Sequence, residues 1–304
     1  MSKFLIVLGG PTASGKTSTG INLAKHFDTE IISADSRQIY KETTIGTAVP
    51  EPGQLKEIKH HFIQTISLEK YYNASMYEID VLATLEELFK KKDLVVMVGG
   101  SGLYINAVCD GIDDLPTVDP EIRLSLEKKF IKEGIDSIRK DLKLLDPITY
   151  GKVDLKNHLR ILKALEITIQ TGKPYSSFLT HQKKQRDFHI IRLALNMNRE
   201  DLYDRINLRV DLMIEQGLAE EAEGLKHLRE TNVLKTVGYK EIFSYFDGNI
   251  TMDEAIDLIK RNSRKYARKQ ITWFRKNELY PWFHPDETEK MLAYCNKCII
   301  DSVS

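Results

Sequence analysis

The segment Phe4-Leu-Ile-Val-Leu-Gly-Gly-Pro-Thr-Ala-Ser-Gly-Lys-Thr17 carries the strongest fold signal in this chain. Its first half, residues 4–8, is a continuous apolar run typical of a buried parallel strand. Its second half, residues 10–17, matches the pattern G-x4-G-K-[ST], in which backbone N–H groups surround phosphate oxygens at the start of a helix. In such a loop the lysine adds a positive charge, and the hydroxyl of Thr17 can ligate Mg²⁺. The stretch therefore predicts a strand, a phosphate loop and a helix.

Further apolar runs extend this unit into a sheet. Residues 30–34, 94–98 and 190–195 are predicted strands, and helical patterns lie between the earlier ones. One of these helices is predicted to begin near Ser75, because Ser75-Met-Tyr-Glu78 has the form of a capping box. The alternation predicts an α/β fold, a P-loop NTPase-like doubly wound parallel sheet.

The middle of the chain has a different pattern. Residues 119–188 show only helical periodicity, and one helix is predicted over residues 157–171. Its apolar side is predicted to contain Leu159, Leu162, Leu165 and Ile169. We therefore predict an inserted all-helical domain at 119–188, within a catalytic core formed by residues 1–118 and 189–304.

Composition narrows the class of protein. Hydrophobic residues make up 42% of the 304 residues, and the 44 Lys+Arg balance the 44 Asp+Glu, so that any polyanion site must be a local patch. No stretch approaches the ~20 apolar residues of a membrane span. The three cysteines do not suggest disulfides, and Cys295-Asn-Lys-Cys298 is interpreted as an incidental pair on a terminal helix. We expect a cytoplasmic monomer with no membrane contact.

The phosphate loop by itself does not choose a reaction. Its default use is nucleotide binding in an ATP-dependent kinase or NTPase, which usually has an acidic residue after a third apolar strand. Here Gly99-Gly100-Ser101 follows that strand, and the acid at a strand end is Asp35. At the carboxyl edge of a doubly wound sheet, Asp35 should face the same crevice as Lys16. The spacing leaves phosphoryl transfer and another pyrophosphate chemistry open.

A basic stripe is predicted on the last long helix, residues 252–276. It comprises Arg261, Arg264, Lys265, Arg268 and Lys269, which recur at helical spacing. Arg275 and Lys276 extend it, no acid occurs between Asp257 and Glu278, and aromatic residues interleave with the cations. A solvated helix face is the alternative, but the stripe favours binding of an RNA backbone with stacking of splayed bases.

Taken together, these residues resemble the tRNA dimethylallyltransferase (isopentenyltransferase) family over nearly the whole chain. The motifs that carry the resemblance are Gly10-Pro-Thr-Ala-Ser-Gly-Lys-Thr17, Ser33-Ala-Asp-Ser36, Gln38-Ile-Tyr40, Gly46-Thr-Ala48, His60-His-Phe62, Gly99-Gly-Ser-Gly-Leu-Tyr104, residues 157–166, Val237-Gly-Tyr239 and Arg268-Lys-Gln-Ile-Thr-Trp-Phe-Arg275.

The resemblance implies a reaction and its partners. The exocyclic N6 of the adenosine on the 3′ side of the anticodon attacks carbon 1 of dimethylallyl pyrophosphate, and pyrophosphate leaves. The partners are therefore dimethylallyl pyrophosphate and the anticodon stem-loop of a tRNA, and Mg²⁺ is the expected cofactor. Asp35 is the candidate general base, oriented by Ser36. Lys16, Thr17 and Arg205 complete the predicted catalytic set.

The resemblance also assigns binding residues. The donor pyrophosphate would be held by Gly10, Pro11, Thr12, Ala13, Ser14, Gly15, Lys16 and Thr17. Arg205 and Arg209, one turn apart on the helix after the insertion, are predicted as additional clamps on the pyrophosphate; the alternative is a surface pair that faces Asp201 or Asp204. The tRNA would be held by Asp35, Ser36, Arg37, Gln38, Ser101, Arg123, Arg160, Lys163, Gly238, Tyr239, Lys240, Arg268, Lys269, Gln270, Trp273 and Arg275.

This sequence departs from the family pattern at several positions. Val49 and Gln64 stand where Lys and Asp are frequent, Ser101 where Thr is usual, and Lys163 where Arg is usual. Three rival functions are a prenyltransferase acting on free adenylate, a P-loop small-molecule kinase and a non-catalytic RNA-binding module. The helical insertion and the basic helix favour a large RNA substrate.

Overall fold

The computed structural model describes residues 2–180 and 182–303. In these residues the strands form one six-stranded sheet in the order β3-β2-β4-β1-β5-β6, and every pair of neighbours is parallel. The strands are β1 (Phe4–Gly9), β2 (Ile31–Ser33), β3 (His60–His61), β4 (Leu94–Val98), β5 (His189–Leu195) and β6 (Trp282–Phe283). The predicted parallel sheet is confirmed.

Strand β1 is the centre of the sheet because its side chains are apolar on both faces. Leu5, Ile6 and Val7 are completely buried, and Phe4 pairs with Leu94 on one side and His189 on the other. Parallel strands of this kind end at the same edge of the sheet. The segments that follow β1, β2 and β4 therefore meet at that edge.

Thirteen α-helices of the described residues surround or extend the sheet. They are α1 (Lys16–His26), α2 (Pro52–Glu57), α3 (Ala74–Phe89), α4 (Gly102–Asp110), α5 (Pro120–Glu133), α6 (Ile135–Leu145), α7 (Pro147–Lys152), α8 (His158–Thr171), α9 (Arg199–Glu215), α10 (Leu218–Gly224), α11 (Tyr239–Phe246), α12 (Met252–Arg275) and α13 (Thr288–Val303).

The chain divides into two compact units, and the smaller one is the helical segment Gly111–Lys184. Its boundaries lie somewhat before the predicted 119–188. At its start, Asp113 accepts hydrogen bonds from the backbone and hydroxyl of Thr180, which joins the two ends of the unit. Beyond its end, Arg186 binds Glu78 and therefore belongs with the sheet unit.

The helical unit has its own apolar core and one buried carboxylate. Asp146 is fully buried and accepts hydrogen bonds from the backbone N–H and the hydroxyl of both Thr149 and Ser176, at 2.6–3.0 Å. These bonds tie α7 to the 3₁₀ turn Tyr175–Phe178. The core itself is formed by Leu126, Ile138, Leu142, Ile161, Leu162, Ala164 and Leu165.

Two local predictions are wrong. The helix cap near Ser75 is Asn73, whose side chain accepts from the N–H groups of Ser75 and Met76, and Glu78 is buried against Arg186. An amide oxygen at the residue before the helix satisfies the free N–H groups, so no capping box is needed.

In α8 the apolar side is also displaced. Ile161 and Leu165 are buried, whereas Leu159 is 66% exposed and Ile169 47% exposed. Burial follows the face through residues 161, 164, 165 and 168, which packs on α5 and α6. The predicted face was therefore only half correct, although the helix and its Asn157 cap are as expected.

The two C-terminal cysteines lie in or beside the apolar core of the sheet unit. Cys295 is part of that core, where burial raises its pKa to about 12, and Cys298 packs beside it. Both are therefore packing residues in this structure. Throughout residues 2–180 and 182–303, no helix combines the length and the apolar character that crossing a membrane requires.

Candidate active site

The edge where β1, β2 and β4 end carries a cavity of about 820 Å³. Helices α9 and α12 close its sides, and residues 44–50 form part of its rim. Thirteen residues of the predicted site line this cavity: Thr12, Ala13, Ser14, Gly15, Lys16, Thr17, Asp35, Arg37, Gln38, Arg205, Arg209, Gly238 and Gln270.

The phosphate loop is a tight turn whose backbone explains its glycines. Gly10 has φ 141° and Gly15 has φ 90°, conformations that side-chain-bearing residues rarely adopt. The buried hydroxyl of Ser14 donates to the carbonyl of Pro11 at 2.8 Å and holds the turn closed. Within the described residues no side chain caps α1, so its first N–H groups are available to an anion in the cavity.

The side chain of Lys16 places a buried amino group beside this loop. Its Nζ donates to the carbonyl of Pro11 at 2.6 Å. Burial, and next the repulsion of Arg209, lower the pKa of Lys16 to about 7, although Asp35 opposes the change. A bound anion would replace the carbonyl as the partner of Nζ and favour the protonated form.

Two arginines on α9 contact the same loop from the opposite side. Arg205 donates through Nε to the carbonyl of Ala13 at 2.9 Å, and Arg209 donates to the hydroxyl of Thr12 at 3.3 Å. Burial, with the nearby Arg205, lowers the pKa of Arg209. The two arginines lie one turn apart on α9, and together with Lys16 they place three cations at the phosphate loop, which suits a pyrophosphate group.

Asp35 lies two residues beyond the end of β2, as the topology requires. Its Oδ1 accepts from the backbone N–H of Arg37 at 3.0 Å and from that of Gln38 at 3.4 Å. These amides orient the carboxylate. Ser36, expected to do so, is bonded to Ser101: its N–H donates to the Ser101 hydroxyl at 2.9 Å, and the two hydroxyls lie 3.0 Å apart.

Gln270 connects α12 to two glycine-rich loops. Its Oε1 accepts from the N–H of Thr12 at 2.8 Å, and its Nε2 donates to the carbonyl of Gly100 at 3.0 Å. The side chain is 7% exposed, and a Cβ at position 100 would lie only 2.3 Å from its Nε2. Gln270, predicted to bind tRNA, therefore has both ends of its amide engaged within the protein.

The other predicted RNA contacts of the sheet unit occupy different environments. Arg268, Lys269 and Arg275 are exposed on α12, so their charges face solvent. Trp273 packs against Gly102, where a Cβ would lie 2.3 Å from the indole ring. Lys240 lies 3.4 Å from Glu241. The first three are the residues of this group best placed for a phosphate backbone.

Tyr239 differs from these residues because it is completely buried. Its hydroxyl donates to Glu221 at 2.6 Å, and burial, followed by the Glu221 charge, raises the pKa of Tyr239. Its ring is therefore closed to RNA in this structure. Glu221 was not identified from the sequence. Tyr266 was predicted only as one of the aromatic residues among the cations of α12; it lines the cavity and lies under the guanidinium of Arg37 at 4.8 Å.

The predicted contacts in the helical unit are partly occupied by a buried acid. Arg123 donates through Nε and a terminal nitrogen to the two oxygens of Glu166, at 2.8 and 2.9 Å. Lys163 lies 4.0 Å from the same carboxylate, which is 4% exposed on its side chain. Arg160 is exposed at the start of α8. Arg160 and Lys163 are therefore less engaged with Glu166 than Arg123 is, and they are the better candidates for binding RNA phosphates.

The cavity contains oxygen ligands of the kind that Mg²⁺ prefers. The hydroxyl of Thr17 and the carboxylate of Asp35 both line it. Hard oxygen ligands of this type, few in number, fit an ion that keeps several waters and takes its remaining ligands from substrate phosphates. Thr17 is the residue that would hold it at the start of α1.

Comparison with known proteins agrees with this geometry. The family model described as IPP transferase matches residues 38–277. The chain is 52% identical over 298 residues to "tRNA dimethylallyltransferase 1" of Bacteroides fragilis, covering 98% of this chain and 99% of the relative. It is 53% identical over 290 residues to "tRNA dimethylallyltransferase" of Christiangramia forsetii, covering 95% and 96%.

Solved structures give the same result. The full-length tRNA isopentenylpyrophosphate transferase of Bacillus halodurans matches with a TM-score of 0.70 at 35% identity, covering 98% of this chain and 96% of that one. A eukaryotic dimethylallyltransferase acting on tRNA matches with a TM-score of 0.74 at 26% identity, covering 90% and 70%. The phosphate loop, the acid after β2 and these similarities over nearly the full length lead to one conclusion: this chain belongs to the IPP transferase family.

Proposed function

We propose that this chain transfers a dimethylallyl group from dimethylallyl pyrophosphate to N6 of the adenosine on the 3′ side of a tRNA anticodon. The observation that carries the proposal is the presence of Asp35 in the same cavity as the phosphate loop and its three cations, Lys16, Arg205 and Arg209. Relatives about half identical over nearly their full length are named tRNA dimethylallyltransferases, which supports transfer of this group to a tRNA.

The acceptor amine needs a base because an exocyclic amine conjugated with a purine is a weak nucleophile. As N6 bonds to carbon 1 of the donor, the bond between carbon 1 and the pyrophosphate oxygen breaks, and a proton leaves N6. Asp35 accepts this proton, since its carboxylate is held in place by two amides and retains Oδ2 for the substrate. The adenosine must leave its stack to reach the cavity.

The leaving pyrophosphate needs stabilisation that is already in place before it departs. The N–H groups of the phosphate loop, Lys16, Arg205 and Arg209 provide it at one side of the cavity. Because these donors are fixed by the turn and by α9, little reorganisation accompanies the reaction. When bound, Mg²⁺ would neutralise charge on the pyrophosphate oxygens, held by Thr17.

The exposed side of α12 supports the proposal that the protein binds RNA. Arg261, Lys265, Arg268 and Lys269 are exposed there, while Gln270 of the same helix reaches the phosphate loop. A backbone bound along these cations would therefore lie on the helix that also forms a wall of the donor cavity.

One experiment tests the proposed function directly. The protein is incubated with unmodified tRNA, Mg²⁺ and labelled dimethylallyl pyrophosphate, and the nucleosides are analysed after digestion. We expect N6-dimethylallyladenosine and release of one pyrophosphate per product. Parallel reactions contain AMP in place of tRNA, or labelled ATP with metabolites in place of the prenyl donor. Turnover of AMP but not of tRNA, or label transfer from ATP alone, would contradict the proposal.

A further inference from the structure

A carboxylate outside the catalytic set holds the rim of the donor cavity. The rim loop, residues 44–50, lines the cavity along its length. The side chain of Glu221, on α10, accepts from the backbone N–H groups of Thr44, Ile45 and Gly46 at 2.9, 2.8 and 2.9 Å. Three successive amides on one carboxylate form a strong, charge-assisted attachment.

The attachment has a second component, the ring of Tyr239. Its hydroxyl donates to Oε1 of Glu221 at 2.6 Å, so four donors converge on this carboxylate. A Cβ at position 46 would lie 2.5 Å from the Tyr239 ring, which is fully buried. Gly46 is therefore needed at this position, because any side chain there would collide with the Tyr239 ring.

The rim loop is in turn bonded to the segment that carries the candidate base. The side chain of Gln38 donates to the carbonyls of Thr47 at 3.3 Å and of Ala48 at 2.8 Å. The backbone N–H of Gln38, together with that of Arg37, binds Oδ1 of Asp35. A continuous series of contacts thus leads from Glu221 through the rim loop and Gln38 to Asp35.

The phosphate loop is fastened independently of this series. Gln270, Arg205 and Arg209 bind residues 12 and 13 from α12 and α9, and none of these contacts involves the rim loop. Release of the rim loop should therefore disturb the base and leave donor binding largely intact.

From these contacts we infer that Glu221, with Tyr239, is a positioning residue for Asp35, acting through the rim loop and Gln38. This inference rests on the proposed function, in which Asp35 is the base. It assigns the α10–α11 region a role in the rate of transfer, distinct from substrate affinity.

Hydrogen exchange and steady-state kinetics of matched variants test the inference. In Glu221→Gln one acceptor oxygen is replaced by an NH₂ group, which cannot accept the backbone N–H groups of the rim loop. The rate of amide hydrogen exchange at residues 44–46 should therefore rise about tenfold or more. The kcat should fall about tenfold, while the donor KM changes less than about twofold, because a small displacement of a base affects the chemical step. Tyr239→Phe, which removes one donor, should give smaller changes in the same direction.

Two further variants make the test specific. Gly46→Ala displaces the loop without altering the carboxylate and should also lower kcat. Glu254→Gln is the control, since Glu254 likewise accepts a backbone N–H, that of Thr251 at 2.8 Å, at the exposed start of α12. It should leave kcat and exchange at residues 44–46 unchanged.

The outcomes separate this inference from the proposed function. Unchanged exchange at residues 44–46 in Glu221→Gln, or faster exchange with an unchanged kcat, would overturn the positioning role. If the Gln variant does not fold, Tyr239→Phe and Gly46→Ala decide by the same two measurements. Absence of transfer by the wild-type protein would instead contradict the proposed function. The exchange rates at residues 44–46 would still show whether Glu221 holds the rim loop.

Discussion

At the scale of the residue, Asp35 is the proposed general base, since the reacting amine must lose a proton. We predict that Asp35→Asn lowers kcat by a factor of about 10²–10⁴, the range typical of losing a general base. The variant keeps the shape of the side chain and its acceptor for the amides of Arg37 and Gln38. Single-turnover transfer measures the rate, and filter binding measures tRNA affinity, which should stay within a few-fold. A full rate in this variant would exclude Asp35 as the base.

Lys16, also considered at the scale of the residue, is proposed to bind the pyrophosphate of the donor. We predict that Lys16→Ala raises the KM for the prenyl donor by about tenfold to a hundredfold, since hydrogen bonds to charged groups contribute about 1.5–3 kcal/mol. The inhibition constant of inorganic pyrophosphate, a product that competes with the prenyl donor, should rise in parallel. Lys25, on the last turn of the same helix and paired with Glu57, provides the control Lys25→Ala. An unaltered donor KM in Lys16→Ala would contradict the assignment.

At the scale of the element, α12 has two different sides. Gln270, Ala267 and Phe274 are buried, whereas Arg261, Lys265, Arg268, Lys269 and Arg275 are exposed. The buried side fixes the helix to the glycine loops through Gln270, and the exposed side keeps its cations in solvent. The helix is thus both part of the cavity and a candidate RNA surface.

This division gives a prediction on salt dependence. Replacing Arg268 and Lys269 together by alanine should weaken tRNA binding and reduce the slope of log K against log salt by about 0.7–0.9 for each phosphate that is no longer neutralised. The donor KM measured at saturating tRNA should change little. Lys297→Ala, an exposed lysine on α13, is the matched control. An unchanged salt slope in the double variant would show that α12 does not bind the RNA backbone.

At the scale of the whole molecule, the chain comprises two compact units with separate cores. The helical unit lacks a sheet among its described residues, and Asp146 joins α7 to the following 3₁₀ turn with four hydrogen bonds. Burial acts to raise the pKa of Asp146, but the bonds from Thr149 and Ser176 outweigh it, so that its pKa lies below the ordinary value.

A lowered pKa has a definite consequence for stability. Because the folded unit binds this proton less tightly than the unfolded chain, Asp146 stabilises the fold above the ordinary aspartate pKa of about 4, and this contribution is lost as the pH falls through the folded value. We predict that Asp146→Ala destabilises the protein by about 3 kcal/mol at pH 7 and flattens its acid dependence. Thermal unfolding between pH 7 and pH 3 measures both.

The control for this prediction is Asp141→Ala in the same unit. Asp141 pairs with Lys129 on the partly exposed surface, where such pairs contribute about 0–1 kcal/mol. Equal losses in the two variants would show that the buried network of Asp146 has no special role.

The amino-acid sequence alone was enough to predict the phosphate loop and the four longer strands, but not the two-residue strands β3 and β6. The apolar run of β1 and the G-x4-G-K-T pattern depend only on neighbouring residues, and Asp35 could be placed at a strand end because parallel strands finish at one edge. Helical spacing also predicted the cationic stripe of α12, although Arg264, one of its five predicted members, is partly buried and donates to Asn207. These signals depend on residues that are neighbours in the chain.

The contact partners of these residues, by contrast, are set by the folded structure. The Asn73 cap, the pairing of Glu78 with Arg186 and the buried face of α8 depend on what packs against each helix. Glu221 lies 175–177 residues from the amides it binds, and Gln270 lies 258 residues from Thr12. Such contacts leave no periodicity in the sequence, because their energy comes from groups brought together only by folding.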